Sequence, residues 1–99
     1  MSLIAFNHFN IRAPSALLRT VRDFYVDVIG LVEGPRPDAP VAGYWLYLAD
    51  VPVLHLMEWP DGPQVPDQER GYLDHIAFSC RDEMVFIDRF KNLAVPFRQ

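Results

Sequence analysis

The chain reads Asn-His-Phe-Asn-Ile at residues 7–11 and Asp-His-Ile-Ala-Phe at residues 74–78, and a helix-like run follows each stretch. Each copy therefore predicts a strand followed by a helix, with a histidine at the same point. A duplicated unit of this kind can bring its two histidines, His8 and His75, together around a metal ion. The third histidine of the chain, His55, stands in another strand-like run at residues 53–57.

In all three strand-like runs the histidine alternates with apolar neighbours. Successive side chains of a strand point to opposite faces of the sheet. If the apolar neighbours pack beneath helices, the three imidazoles project from the other face, where a curved sheet would converge them. Neutral imidazole suits Fe, Zn, Ni and Cu, and two histidines with a carboxylate form an arrangement used for oxygen-activating Fe(II). The apolar neighbours are Phe9, Leu54, Leu56 and Ile76.

The pattern of apolar residues predicts the order β-α-β-β-β for residues 5–59. A strand at residues 5–12 precedes Pro14 and Ser15, which mark a stop and a cap for a helix that ends at Gly30. A short strand at residues 32–33 and a turn-rich segment at 34–43 follow. Strands at residues 44–48 and 53–59, joined by a short hairpin-like connection at 50–52, complete this first unit.

The second half of the chain repeats the beginning of this order. Residues 60–71 contain three prolines and two glycines and are predicted to form a linker. A strand at residues 73–79, a helix capped by Asp82 and a further strand from residue 95 would make a partial second unit over residues 72–99. A complete copy needs roughly another 30 residues, so we expect the single domain of residues 1–99 to be cut short. An unpaired sheet edge would then favour a homodimer.

Composition narrows the classes of protein that the chain can belong to. With 99 residues, of which 51% are hydrophobic, it has material for one core. A formal net charge of −4 argues against binding to nucleic acid or to an anionic membrane surface. No apolar run approaches the roughly 20 residues that span a bilayer, and the first residues do not resemble a signal peptide. Its single cysteine cannot form an internal disulfide, so we expect a cytoplasmic location.

Three segments resemble signatures of the vicinal oxygen chelate superfamily, which includes glyoxalase I, extradiol dioxygenases, methylmalonyl-CoA epimerase and the fosfomycin and bleomycin resistance proteins. They are the strand at residues 8–12, the helix at 21–31 that ends in Gly-Leu, and the strand at 73–78. The resemblance implies an α+β fold of paired βαβββ modules around a cleft that holds a divalent metal. It also implies that the metal ligands lie on the first and last strands of each module. On this chain those ligands would be His8 and His75, with His55 closing the first module.

This sequence departs from the family pattern at one ligand. The remaining family ligand is a glutamate on the last strand of the second module, which this chain does not reach. Glu58 lies three positions from His55 and would face the opposite side of the strand unless a bulge intervened. We therefore expect either a truncated product of a longer gene or a partner chain that supplies the missing ligand.

Two functions follow as expectations. The first is a metalloprotein whose divalent ion, Fe, Zn, Ni or Mn, chelates vicinal oxygens of a small-molecule substrate, as in a glyoxalase-like lyase or isomerase or an extradiol-type dioxygenase. The alternative is a metal-free, drug-sequestering binding protein of the bleomycin resistance kind, or an inactive fragment. The sequence assigns no catalytic residue. Large side chains that could line a pocket for a flat substrate, but that also suit a core or an interface, are Trp45, Tyr47, Met57 and Trp59.

Overall fold

A computed structural model describes residues 2–60 and 75–99 of the chain. The chain divides into two compact units, Met1–Gly62 and Pro63–Gln99. The first unit contains the strands and helix of the predicted β-α-β-β-β order. They are β1 (Phe9–Ala13), α1 (Ser15–Asp23) with a π-helical continuation (Phe24–Ile29), β2 (Val32–Gly34), β3 (Gly43–Leu48) and β4 (Val51–Glu58).

The four strands form one mixed sheet in the order β1-β4-β3-β2. β1 pairs with β4 in parallel, whereas β4 with β3 and β3 with β2 are antiparallel. The helix connects the first strand to the rest because parallel neighbours require a crossover connection rather than a tight turn. This order brings the first and last strands of the unit side by side, and with them the segments that carry His8 and His55.

The long helix changes its hydrogen-bonding pattern before it ends. The backbone N–H groups of Gly30 and Leu31 both donate to the Tyr25 carbonyl, at 3.0 and 2.9 Å, which widens the last turn. Gly30 has a φ of 103°, a left-handed conformation that glycine adopts without a Cβ penalty, and it ends the helix as predicted. At the other end Pro14 occupies the capping position and no side-chain cap bond forms, so the prediction that Ser15 caps the helix is wrong.

The helical segment covers one face of the sheet. Leu46, Leu54 and Leu56 are fully buried on β3 and β4, and Leu18 on α1 packs into the same core. Burying each such leucine is worth about 1.5–3 kcal/mol relative to leaving it exposed. Because side chains alternate along a strand, the residues between these leucines point to the other face. That other face, named here the open face, carries His55 and Trp45.

The second unit contains the predicted helix, α2 (Glu83–Asn92), with Asp82 at its N-terminal capping position. Asp82 has a φ of 60° and its side chain makes no cap bond. Residues 75–80 and 95–99 form no strand, so the predicted strands at 73–79 and from residue 95 are wrong over the residues that the structure describes. Alternation of apolar residues is one requirement of a strand, but a strand also needs a hydrogen-bonding neighbour. Residues 73–74 and most of the predicted linker lie outside the described part.

The described residues therefore form an α+β structure, with a four-stranded mixed sheet and two helices, that is compatible with a partial βαβββ module. Across residues 2–60 and 75–99 the helices are too short or too polar to cross a membrane.

Candidate functional site

Three rings stack on the open face of the sheet. The His55 ring lies between the His8 ring, at a centroid distance of 3.8 Å, and the Trp45 ring, at 4.0 Å. The interplanar angles are 17° and 7°. The register explains this stack, because Asn10, His55 and Trp45 are direct partners across β1, β4 and β3. His8 lies outside β1, immediately before its first residue, and its ring stacks on the His55 ring from there. The predicted strand therefore begins later than residue 5.

The side chain of Asn7 fixes the orientation of the His8 ring. The Nδ1 atom of His8 and the Oδ1 atom of Asn7 are 2.6 Å apart. A carboxamide oxygen accepts hydrogen bonds only, so Nδ1 is the protonated nitrogen when His8 is neutral. The lone pair of the ring is then on Nε2. Metal-binding histidines in proteins are commonly oriented in this way, by an oxygen acceptor on the nitrogen that does not bind the metal.

His55 has a matching arrangement with a backbone acceptor. Its Nε2 is buried and has no hydrogen-bond partner among the described residues. Desolvation, and then the proximity of His8, lower the pKa of His55 below its ordinary value, while a hydrogen bond to the backbone of Pro52 opposes the shift. Since Nε2 is unpartnered, we assign that hydrogen bond to Nδ1–H. The lowered pKa favours the neutral form of His55, which is the form that binds metals.

The two imidazoles are stacked face to face, which differs from the arrangement of two ligands around one ion. A ring nitrogen donates its lone pair in the plane of the ring, so the lone pairs of these near-parallel rings, with centroids 3.8 Å apart, converge on one ion only if one ring turns out of the stack. No group of three or more His, Cys, Asp or Glu side chains is placed to hold a metal within the described residues. The donor set that the structure describes is thus a pair.

A pocket of about 160 Å³ adjoins the stack. Its floor is the open face of the sheet, and the segment between β2 and β3 forms a wall over it. Apolar surface predominates, with one cationic and one anionic side chain in the wall. The lining residues are Asn10, Arg36, Pro37, Asp38, Ala39, Trp45, His55, Leu56 and Met57.

The residues predicted for substrate binding separate into two pairs. Trp45 and Met57 line this pocket. Tyr47 and Trp59 lie outside its lining: the Tyr47 hydroxyl donates to the Pro35 carbonyl, and the Trp59 ring lies 4.5 Å from the Arg12 guanidinium. Of the predicted metal ligands, the structure brings His8 and His55 together. His75 belongs to the second unit, where it is exposed.

Sequence reasoning missed three polar residues around this site. Arg36 and Asp38 stand in the turn-rich segment between β2 and β3, which has no periodicity from which a side chain direction can be predicted. Asn7 was overlooked as an acceptor, although its position next to His8 was visible. A short polar residue beside a candidate histidine ligand is a signal that could have identified it.

Comparison with known proteins leaves the family unassigned. The chain matches no protein-family model, and no curated protein is similar to it at a significant level. The resemblance to the vicinal oxygen chelate superfamily therefore stays a prediction that rests on the sequence segments quoted above.

Proposed function

We propose that this chain is a glyoxalase- or dioxygenase-like metalloprotein that binds a divalent ion through His8 and His55. The observation that carries the proposal is the proximity of these two rings, whose centroids are 3.8 Å apart, with His55 on β4 and His8 just before β1. Binding of one ion by both would require one ring to turn out of the stack. Each ring has an acceptor that favours protonation of Nδ1 and leaves the Nε2 lone pair without a proton. Metal-binding histidines commonly have this arrangement.

Each side chain of the site has a defined part in this proposal. His8 and His55 hold the ion, and Asn7 and the Pro52 backbone fix the tautomers of their rings. When bound, the ion supplies Lewis-acid polarisation to two neighbouring oxygens of a substrate. Trp45 covers the second face of the His55 ring and contributes, with Met57, an apolar surface that excludes water and suits a flat substrate.

A complete centre needs donors beyond the pair. His75 is the third ligand in this proposal, as the resemblance implies, and a partner chain in a homodimer is another source of donors. The metal in this proposal is Fe, Zn, Ni or Mn. Imidazole ligands suit Fe, Zn and Ni, and additional carboxylate or water ligands would suit Mn. We further propose a cytoplasmic location, with which the exposed thiol of Cys80 is compatible.

A second candidate function is metal-free binding of a small molecule. Two observations favour it: no group of three or more metal donors is placed together within the described residues, and Trp45 gives the pocket an aromatic lining. In this case Trp45 and Met57 would provide the apolar contact surface, and the chain would sequester a ligand without turnover.

Metal content per chain separates these two functions. Chelator-treated protein is incubated in turn with Fe(II), Zn(II), Ni(II) and Mn(II), dialysed and analysed for metal. We expect about one retained ion per chain for the wild type, and a loss of retention in His8→Ala and His55→Ala. Asn10→Ala is the matched control, because it removes a neighbouring polar side chain of the open face without removing an imidazole.

The outcomes distinguish the proposals. Loss of the ion in His75→Ala as well would support His75 as the third ligand. Retention in both the His8 and His55 variants would refute the assigned site. Failure of the wild type to retain any of the four ions would refute the metalloprotein and leave the metal-free binding protein.

A further inference from the structure

Arg36 is a half-buried cation in the pocket wall with donors that the protein does not use. Its Nε atom is buried and has no hydrogen-bond partner in residues 2–60 and 75–99. Its Nη2 group donates to the Val41 carbonyl at 3.2 Å. None of the ion pairs found among the described residues involves Arg36. A buried charged donor without a partner is unfavourable, so native structures usually satisfy such a group with protein, water or ligand.

Gly43, which has no side chain, leaves space above the sheet for the Arg36 guanidinium. A Cβ atom on Gly43 would lie 3.4 Å from the Arg36 Cζ atom, so the guanidinium carbon rests above Gly43 at the start of β3. Gly43 is the register partner of Met57, which also lines the pocket. The cation is therefore fixed over the same open face as the ring stack, two positions along β3 from Trp45.

We propose that Arg36 recognises the carboxylate of a small, flat monoanionic ligand in this pocket. Nε is closed to a ligand in this conformation. Nη2 keeps a second hydrogen after bonding to Val41, and Nη1 has no hydrogen-bond partner among the described residues, so these two groups can donate to a carboxylate. The inference deepens the proposed function and rests on it in one respect, namely that the pocket is a small-molecule site.

The size and charge of the pocket limit the ligand further. Its volume of about 160 Å³ is close to that of an engineered cavity of roughly 150 Å³ that binds benzene in another protein. One aromatic ring or an acid of similar size therefore fills it. Asp38 in the wall adds a negative charge, which disfavours a second anionic group on the ligand. The class is thus a monocarboxylate of about one ring.

The test compares benzoate with benzamide, which has the same shape and no charge. Both are titrated at constant ionic strength into the ¹⁵N-labelled, chelator-treated full chain, and binding is followed by amide chemical shifts. We expect benzoate to bind about tenfold more tightly, because a hydrogen bond to a charged acceptor is about twice as strong as a neutral one. Arg36→Gln should abolish this preference. Arg19→Gln, which removes an exposed charge from α1, should retain it.

Two further variants separate recognition from a role of Arg36 in holding its segment through Val41. A purely structural role predicts that Arg36→Gln weakens benzoate and benzamide equally, and this result would overturn the proposal. Asp38→Asn leaves Arg36 intact and should tighten benzoate by about two- to fivefold, with benzamide unchanged. Arg36→Lys keeps the charge without the planar fork, and we expect an intermediate preference.

Several results would contradict the inference. They are equal wild-type affinities for the two probes, a preference that survives Arg36→Gln, no effect of Asp38→Asn, or no binding of either probe. Should Arg36→Gln fail to fold, the lysine and Asp38 variants decide. The titration uses metal-free protein, so its result does not depend on whether the chain binds a metal. Likewise, a failure of benzoate to bind would not change the measured metal content.

Discussion

Gly43 occupies a position where two backbones approach so closely that a methyl group cannot be added without a backbone movement. A Cβ built there falls against the carbonyl oxygen of Leu56 and lies 3.2 Å from its carbonyl carbon. Leu56 is buried in the centre of the sheet, so its carbonyl cannot shift cheaply. Gly34 differs, because a Cβ there meets the Tyr47 ring at 2.8 Å, and a side chain can move.

The expected cost of Gly43→Ala follows from these contacts. Overpacking of this kind destabilises by about 1–3 kcal/mol, and the stiffer unfolded chain returns about 0.4–1 kcal/mol. A net loss of roughly 1.3 kcal/mol corresponds to a fall in Tm of about 5–10 °C for a domain of this size. Gly34→Ala should lower Tm by less than half as much. Displacement of β3 should also weaken benzoate binding, since Arg36 rests above Gly43.

Thermal unfolding of the two variants, followed by circular dichroism at one protein concentration, measures the difference. A Gly43→Ala protein as stable as the wild type, or equal losses of stability in the two variants, would refute this expectation. Either result would mean that β3 and β4 do not approach as closely as the structure has them.

Two other predictions concern the histidines. Asn7→Ala removes the acceptor from His8 and should lower metal affinity by about 10–100-fold without loss of folding, as measured by competition with a chromophoric chelator; unchanged affinity would contradict the role of Asn7. The second prediction concerns His55, whose pKa is lowered in the folded state. The unfolded state therefore binds more protons near and below the ordinary imidazole pKa. As a result, the free energy of unfolding decreases as the pH falls through that range. Urea unfolding of metal-free protein between pH 5 and 7 should show a steeper loss for wild type than for His55→Gln; parallel curves would contradict the shift.

The first unit could be predicted well from the sequence because its signals are local. Alternation identified the strands that became β1, β3 and β4, and Gly30 marked the end of the helix. The same alternation correctly placed Leu54 and Leu56 in the core and His55 on the opposite face. The π-helical turn was not predictable in this way, because it changes the hydrogen-bond partners without changing which residue types the segment contains.

The second unit shows where local signals fail. Ile76 and Phe78 alternate with polar or small residues as in a strand, yet residues 75–80 form none and both side chains are exposed. A strand is completed by hydrogen bonds to a neighbour that may be distant in sequence, which alternation alone cannot establish. The residues of the pocket wall could not be predicted from local signals either. Arg36 belongs to a segment without periodicity, and its position over Gly43 depends on tertiary contacts.

The central claim is that His8 and His55 bind one divalent ion through their Nε2 atoms once one ring turns out of the stack. The ¹⁵N chemical shifts of the imidazole nitrogens, recorded during titration of the full chain with Zn(II), test it most directly. The account predicts that both rings carry their proton on Nδ1 before zinc is added, and that both Nε2 resonances move together and saturate at a common equivalence point. Protonated Nε2 in the metal-free protein, or Nε2 resonances that stay unchanged in excess zinc, would contradict it.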